Sequence, residues 1–140
     1  MHADDAQIVR VYTKRPGATI SDQTYPSNQP FVVTIEAEAG QQVFDDARDY
    51  HIRVVVRDLT DNSIVLPPND PDAQLDGRVR GADPEWNTLD LKYDFPEVPA
   101  QGETKESHVY QVIAHLTAGD VNPNVSFAVS PLFCITPAAP

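Results

Sequence analysis

Apolar and polar residues alternate along several stretches of this chain, and the longest such stretch runs from Ser107 to Gly119. Tyr110, Val112, Ala114 and Leu116 fall on one side at a period of two, and Gln111 and His115 fall on the other. A strand buried on one face and wet on the other gives that pattern. At about ten residues it can cross a whole domain at the centre of a sheet. In Phe31–Ala39, residues Phe31, Val33, Ile35 and Ala37 oppose Val32, Thr34, Glu36 and Glu38, and the acidic members mark the wet side. In Tyr50–Leu59, residues Tyr50, Ile52, Val54 and Val56 oppose His51, Arg53, Val55 and Arg57.

Further strands are expected at Gln7–Thr13, Ile64–Leu66, Trp86–Phe95 and Asn124–Thr136. In the fourth of these, Val125, Phe127 and Val129 are expected to point inward, with a bulge or break at Ser130-Pro131. Gln41–Asp49 is long enough only for a helical turn. Residues 14–29 read as a long connection with room for one short edge pairing, and 67–84 as a proline-rich loop. All six glycines lie between the expected strands, and of 13 prolines only Pro131 falls well inside one. Local chemistry and strand pattern therefore agree, as in a foldable all-β sequence. The expected layout is a flexible N-terminus at 1–6, one β-sandwich domain at 7–136 and a flexible tail or linker at 137–140.

About seven alternating strands joined by turns describe a two-sheet antiparallel sandwich. From Phe31 to Ile135 the order resembles the immunoglobulin and fibronectin type III sandwiches. Tyr50–Leu59 takes the place of strand C, Leu89–Phe95 of strand E, and Tyr110-Gln111-Val112 the start of strand F. In that family a tyrosine precedes the second cysteine by two positions; here Tyr110 and Val112 hold those places. The resemblance implies a tyrosine corner, with the Tyr110 hydroxyl bonded to backbone upstream. There is no cysteine pair, and the only tryptophan, Trp86, lies near strand E, so the chain is not an antibody-type domain. A jelly roll or a carbohydrate-binding sandwich has a similar strand count.

Composition narrows the function more than it defines it. The 140 residues fit one domain, and the net charge of −11 excludes the clustered cations that nucleic acid or anionic membranes need. No window approaches the roughly 20 apolar residues of a membrane span. Met1-His2-Ala3-Asp4-Asp5 has neither a basic nor an apolar signal region, so no signal peptide is expected. With Cys134 as the single cysteine, this favours a cytoplasmic setting. Cys134 itself reads as a small buried apolar residue.

Candidate chemistry is sparse. Asp70, Asp72 and Asp76, near Asn69 and Gly77, could offer calcium its oxygen ligands, but their spacing departs from the Asp-x-Asp-x-Asp-Gly loop and also suits a solvated turn. His51, His108 and His115 sit on expected strands without a third ligand for a transition metal. No Gly-x-Ser-x-Gly elbow occurs, and no nucleophile, base and orienter stand out. Asn124-Val125-Ser126 matches a glycosylation sequon that chance also supplies. The expectation is a non-catalytic interaction or structural module without a cofactor. The alternative is a carbohydrate-binding sandwich, with or without the aid of calcium, stacking sugars on Trp86, Tyr25 or Tyr93.

One surface stands apart. If strands C and F are antiparallel neighbours, their outward residues are Arg53, Val55 and Arg57 on one and Val109, Gln111, Ile113 and His115 on the other, with Ser126 and Ala128 alongside. This face carries no carboxylate in an acidic chain. Apolar centres with arginine at the margin match interface composition, and point to a protein partner or to self-association. Coverage by the 14–29 or 67–84 loop is the competing reading. Beneath it, Ile35, Ile52, Val54, Leu91, Val112 and Leu116 are expected to form the core.

Overall fold

The computed structural model describes residues 5–98, 104–119 and 124–138. Strands β1 (Ala6–Lys14), β2 (Thr24–Pro26) and β3 (Val32–Ala39) lead to a one-turn helix, α1 (Gln41–Asp45). Then come β4 (Asp49–Asp58), β5 (Ser63–Leu66), β6 (Gln74–Arg78), β7 (Asp90–Asp94), β8 (Val109–Ala118), β9 (Asn124–Val129) and β10 (Phe133–Thr136). The fold is an all-β, immunoglobulin-like two-sheet sandwich. One sheet has three strands in the order β1-β3-β7. The other has seven, ordered β2-β10-β8-β4-β5, with β6 also pairing β4 and β9 also pairing β8. The pairs are antiparallel except β2–β10, which is parallel.

The alternation places the core between the sheets. Ile35, Ile52, Val54, Val112 and Leu116 are fully buried and Leu91 is 2% exposed. In β1 a register shift between Ile8 and Arg10 inserts one residue, which turns both Ile8 and Val11 inward. Tyr25, Phe31 and Phe133 pack at ring separations of 5.1–5.8 Å, and Phe133 stacks on Tyr110. Lys105 N–H donates to the Tyr110 hydroxyl at 2.7 Å, and that hydroxyl donates to the Lys105 carbonyl at 3.4 Å. The upstream bond implied by the family resemblance is therefore present. Burial pushes the Tyr110 phenol up to about 12.

Two expectations are corrected. The 67–84 stretch is not a plain loop: after a 3-10 turn at Pro71–Ala73, β6 pairs with the first half of β4. Gly77 disguises this strand, and it is required there. A β-carbon would collide with the Asp83 carboxylate and lie 2.9 Å from the Tyr50 hydroxyl. That Asp83 carboxylate accepts from Trp86 N–H at 2.7 Å, Glu85 N–H at 2.8 Å, Arg78 N–H at 3.1 Å and Tyr50 O–H at 3.1 Å.

The second correction concerns β9. Val125, Phe127 and Val129 point outward, not inward, at 50%, 72% and 59% exposure. The inner positions hold small polar residues because β1 lies close. Asn124 Oδ1 accepts from Ala6 N–H at 2.9 Å and Ser126 Oγ from Ile8 N–H at 3.0 Å. At Ser130-Pro131 the last strand breaks into β9 and β10 as expected. Ser130 spans the break, donating its N–H to the Val112 carbonyl and accepting Val112 N–H at its hydroxyl, both at 2.9 Å.

Candidate protein-docking face

β4 and β8 lie side by side at the middle of the larger sheet, β9 flanks β8 at its edge, and the three present one continuous outer surface. The register sets Val55 beside Ile113 and Ile113 beside Val129. The next row holds Arg53, His115 and Phe127, and the next His51, Thr117 and Val125. Arg57 pairs with Gln111, and Ile64 of β5 sits opposite Arg57 at 55% exposure. Val109 lies at the top of β8, beside Cys134 of β10. Arg53, Val55, Arg57, Val109, Gln111, Ile113 and His115 are all partly exposed. The structure thus brings these seven sequence-selected residues onto one face, and adds the three exposed apolar side chains of β9.

The two long connections run to the sides of this surface. The 14–29 segment contributes β2 beside β10, and the 67–84 segment contributes β6 beside β4. β6 also carries Asp76 onto the face, which corrects the expectation of a surface without carboxylates. Asp76 accepts from Arg53 Nη1 at 2.6 Å and lies 2.8 Å from His51 Nδ1. Burial raises the Asp76 carboxyl, but the bonds from Arg53 and His51 outweigh it and leave the group below its usual range. Arg57 donates to Asn62 Oδ1 at 2.5 Å, and Gln111 donates to the Ser130 carbonyl at 3.3 Å. The His115 ring stacks on Phe127 at 6.0 Å. Partial burial, then the charge of Arg53, lower its pKa. Asp76, Arg53 and His51 therefore bond to one another, Arg57 and Gln111 turn to Asn62 and the Ser130 carbonyl, and the apolar side chains of β9 meet solvent.

Asp70, Asp72 and Asp76, selected as calcium ligands, do not converge on one point. The Asp70 carboxylate caps the 3-10 turn by accepting Asp72 N–H at 2.9 Å, while Asp76 is held by Arg53 and His51. The group of ligand-type side chains that does converge among the described residues is Asp58, Asp61 and His108, within 4.8 Å of one another. It joins the end of β4, the following turn and the start of β8, so no local spacing in the sequence signals it. These groups already have partners. Asp58 bonds His108 Nδ1 at 2.6 Å and accepts Thr60 N–H at 2.9 Å, and Asp61 pairs with Lys105 Nζ at 2.7 Å. The arrangement clasps the β4–β5 turn to β8.

Trp86 and Tyr25 are fully buried, which removes them as a sugar-stacking platform. Trp86 packs edge-on against Tyr50 at 5.0 Å, under the loop that Asp83 organises. Tyr93 is partly exposed and packs on Phe95. Among the described residues no helix is long and apolar enough to cross a membrane.

No family model and no curated protein matches the chain. Among solved structures it is similar to AggA, the major subunit of aggregative adherence fimbriae type I from Escherichia coli. The identity is 8% and the TM-score 0.44, over 91% of this chain and 96% of that one. So slight a likeness carries no functional argument, and the reading of this chain rests on its own surface.

Proposed function

We propose that the chain is a non-catalytic β-sandwich module that assembles with protein through the outer face of its seven-stranded sheet. The observation that carries this is the apolar belt of Val55, Ile113, Val125, Phe127 and Val129 across three adjacent strands. A sheet face left to water normally reads polar. A contiguous apolar surface rimmed by polar groups is characteristic of interaction sites. Arg53 and Arg57 on β4 and Phe127 on β9 match the residue types enriched at protein interfaces.

A photo-crosslinking residue at position 113 tests this, with position 38 on the opposite face as control. Covalent products with protein from position 113 and none from position 38 are expected. No product from position 113, or equal yields from both, overturns the proposal.

A further inference from the structure

The docking reading leaves the partner open, and the edges of the sheets narrow it. Resting on that reading, we infer that the partner is a second copy of this chain, joined edge to edge through β9.

Exposed strand edges offer unpaired N–H and C=O groups to other chains, and proteins blunt them with charge, proline or brevity. Nearly every edge here carries such a device. β7 bears Asp90, Lys92 and Asp94, and β6 bears Asp76 and Arg78. β2 has three residues and ends at Pro26, and β5 has four and runs into Pro67-Pro68. In β1 the amides of Ala6 and Ile8 are taken by Asn124 and Ser126. β9 reads Asn-Val-Ser-Phe-Ala-Val, six residues with no charge, proline or glycine inside the strand, against four such residues in β5. Short uncharged windows rich in β-forming residues are the ones most ready to pair with their own kind.

The hydrogen-bond phase of the sheet leaves this edge open. Antiparallel pairs alternate between residues that bond each other and residues that do not. Ser130 N–H donates to Val112, so with the same register Ala128, Ser126 and Asn124 address β8. The opposite phase holds on the far side of β8. There Gly119 N–H donates to Asp49 and Leu59 N–H donates to Val109. The backbone N–H and C=O groups of Val125, Phe127 and Val129 consequently turn away from β8. Among the described residues no strand pairs with that edge. β1 lies against β9 and is bonded to it through the Asn124 and Ser126 side chains, not through the backbone of Val125, Phe127 or Val129.

A second copy fits this edge on two counts. Antiparallel pairing of β9 with its own symmetry mate is self-complementary, each free N–H meeting a free C=O across a two-fold axis. It would join two larger sheets into one and set the Val125, Phe127 and Val129 rows side by side. Charge points the same way. Two molecules of net charge −11 repel, and β9 itself adds no charge to that repulsion.

The test is light scattering of the full chain from low micromolar to several hundred micromolar. The apparent mass is expected to double with concentration. Phe127→Lys places a charge on the edge. Val125→Pro removes an outward N–H without touching the β8 ladder. Both should stay at the single-chain mass with an unchanged circular dichroism spectrum. Glu38→Gln, on the opposite sheet, should still dimerise. In the dimer the amides of Val125, Phe127 and Val129 should become protected from hydrogen exchange. A single-chain mass at every concentration overturns the inference, while crosslinking from position 113 still decides the docking face by itself. A dimer abolished by Val55→Lys as well as by Phe127→Lys pairs face to face; it overturns the edge contact and keeps the docking face. A dimer that survives Phe127→Lys overturns the edge contact too. If either edge variant fails to fold, Val129→Lys is read in its place.

Discussion

The outer faces of the two sheets are built from the same alternation and reach opposite chemistries. On the three-stranded sheet, neighbouring strands meet through charge. Arg10 bonds Glu36 at 2.6 Å, Gln7 bonds Glu38 at 2.5 Å, and Asp94 takes Thr34 at 2.7 Å and Lys14 at 2.9 Å. On the larger sheet the equivalent rows meet through Val55, Ile113, Val129 and Phe127. Burial of the inner residues constrains neither outer face. The difference shows that the acidity of the chain is distributed selectively.

The comparison breaks completely if the shared interior is lost. Val112→Asp puts an unpaired charge at a fully buried position of β8, at a cost of several kcal/mol against a total stability of roughly 5–15. Loss of the cooperative melting transition is expected, and a normal melting curve would refute the assigned facing of β8. A smaller change separates the faces. Gly77→Ala drives a β-carbon into Asp83 and Tyr50, displaces β6 and loosens the β4–β6 pairing that brings Asp76 to the apolar face. About 1–3 kcal/mol should be lost in denaturant titration, as for other overpacked interiors.

Acid sharpens the contrast more gently. His115 has its folded pKa below the ordinary value, so the folded state disfavours its charged form. Its contribution is full above about 6.5 and declines as pH falls below that value toward the folded pKa. His115→Gln should flatten the decline in melting temperature between neutral pH and pH of about 5. Lowered carboxyls such as Asp83 and Asp94 act in a separate window, losing their contribution only as pH falls below about 4. An equal decline in wild type and His115→Gln would remove His115 as the cause. The smallest expected effect is that of calcium. With Asp76 held by Arg53 and His51, and Asp70 capping its turn, millimolar calcium should leave the melting temperature unchanged.

How much of this was legible in the chain depends on what each residue had to reveal. β3, β4 and β8 were legible because each is long and carries its bulky apolar residues on one parity, which fixes the core. Ser130-Pro131 was legible because proline cannot donate to a ladder. The face built from Arg53 to His115 followed from those parities and one assumed neighbour relation. β6 was hidden because Gly77 and Asp76 look like turn residues, and only the long-range approach of Asp83 explains the glycine. β9 was read on the wrong face. A period of two separates two sides without saying which is inside, and the larger side chains point out here because β1 crowds the inner side. Trp86 sits outside any strand, so no periodicity could show its burial.

The bonds from Ala6 to Asn124 and from Ile8 to Ser126 each span 118 positions of sequence. Contacts so distant along the chain carry a large closure entropy and slow the search for the native state. During synthesis β1 emerges first and has no β9 to meet until nearly the whole domain has left the ribosome. In that interval its Ala6 and Ile8 amides have no native partner on this side. These two bonds cannot form until Asn124 and Ser126, two small polar residues near the far end of the chain, have been made.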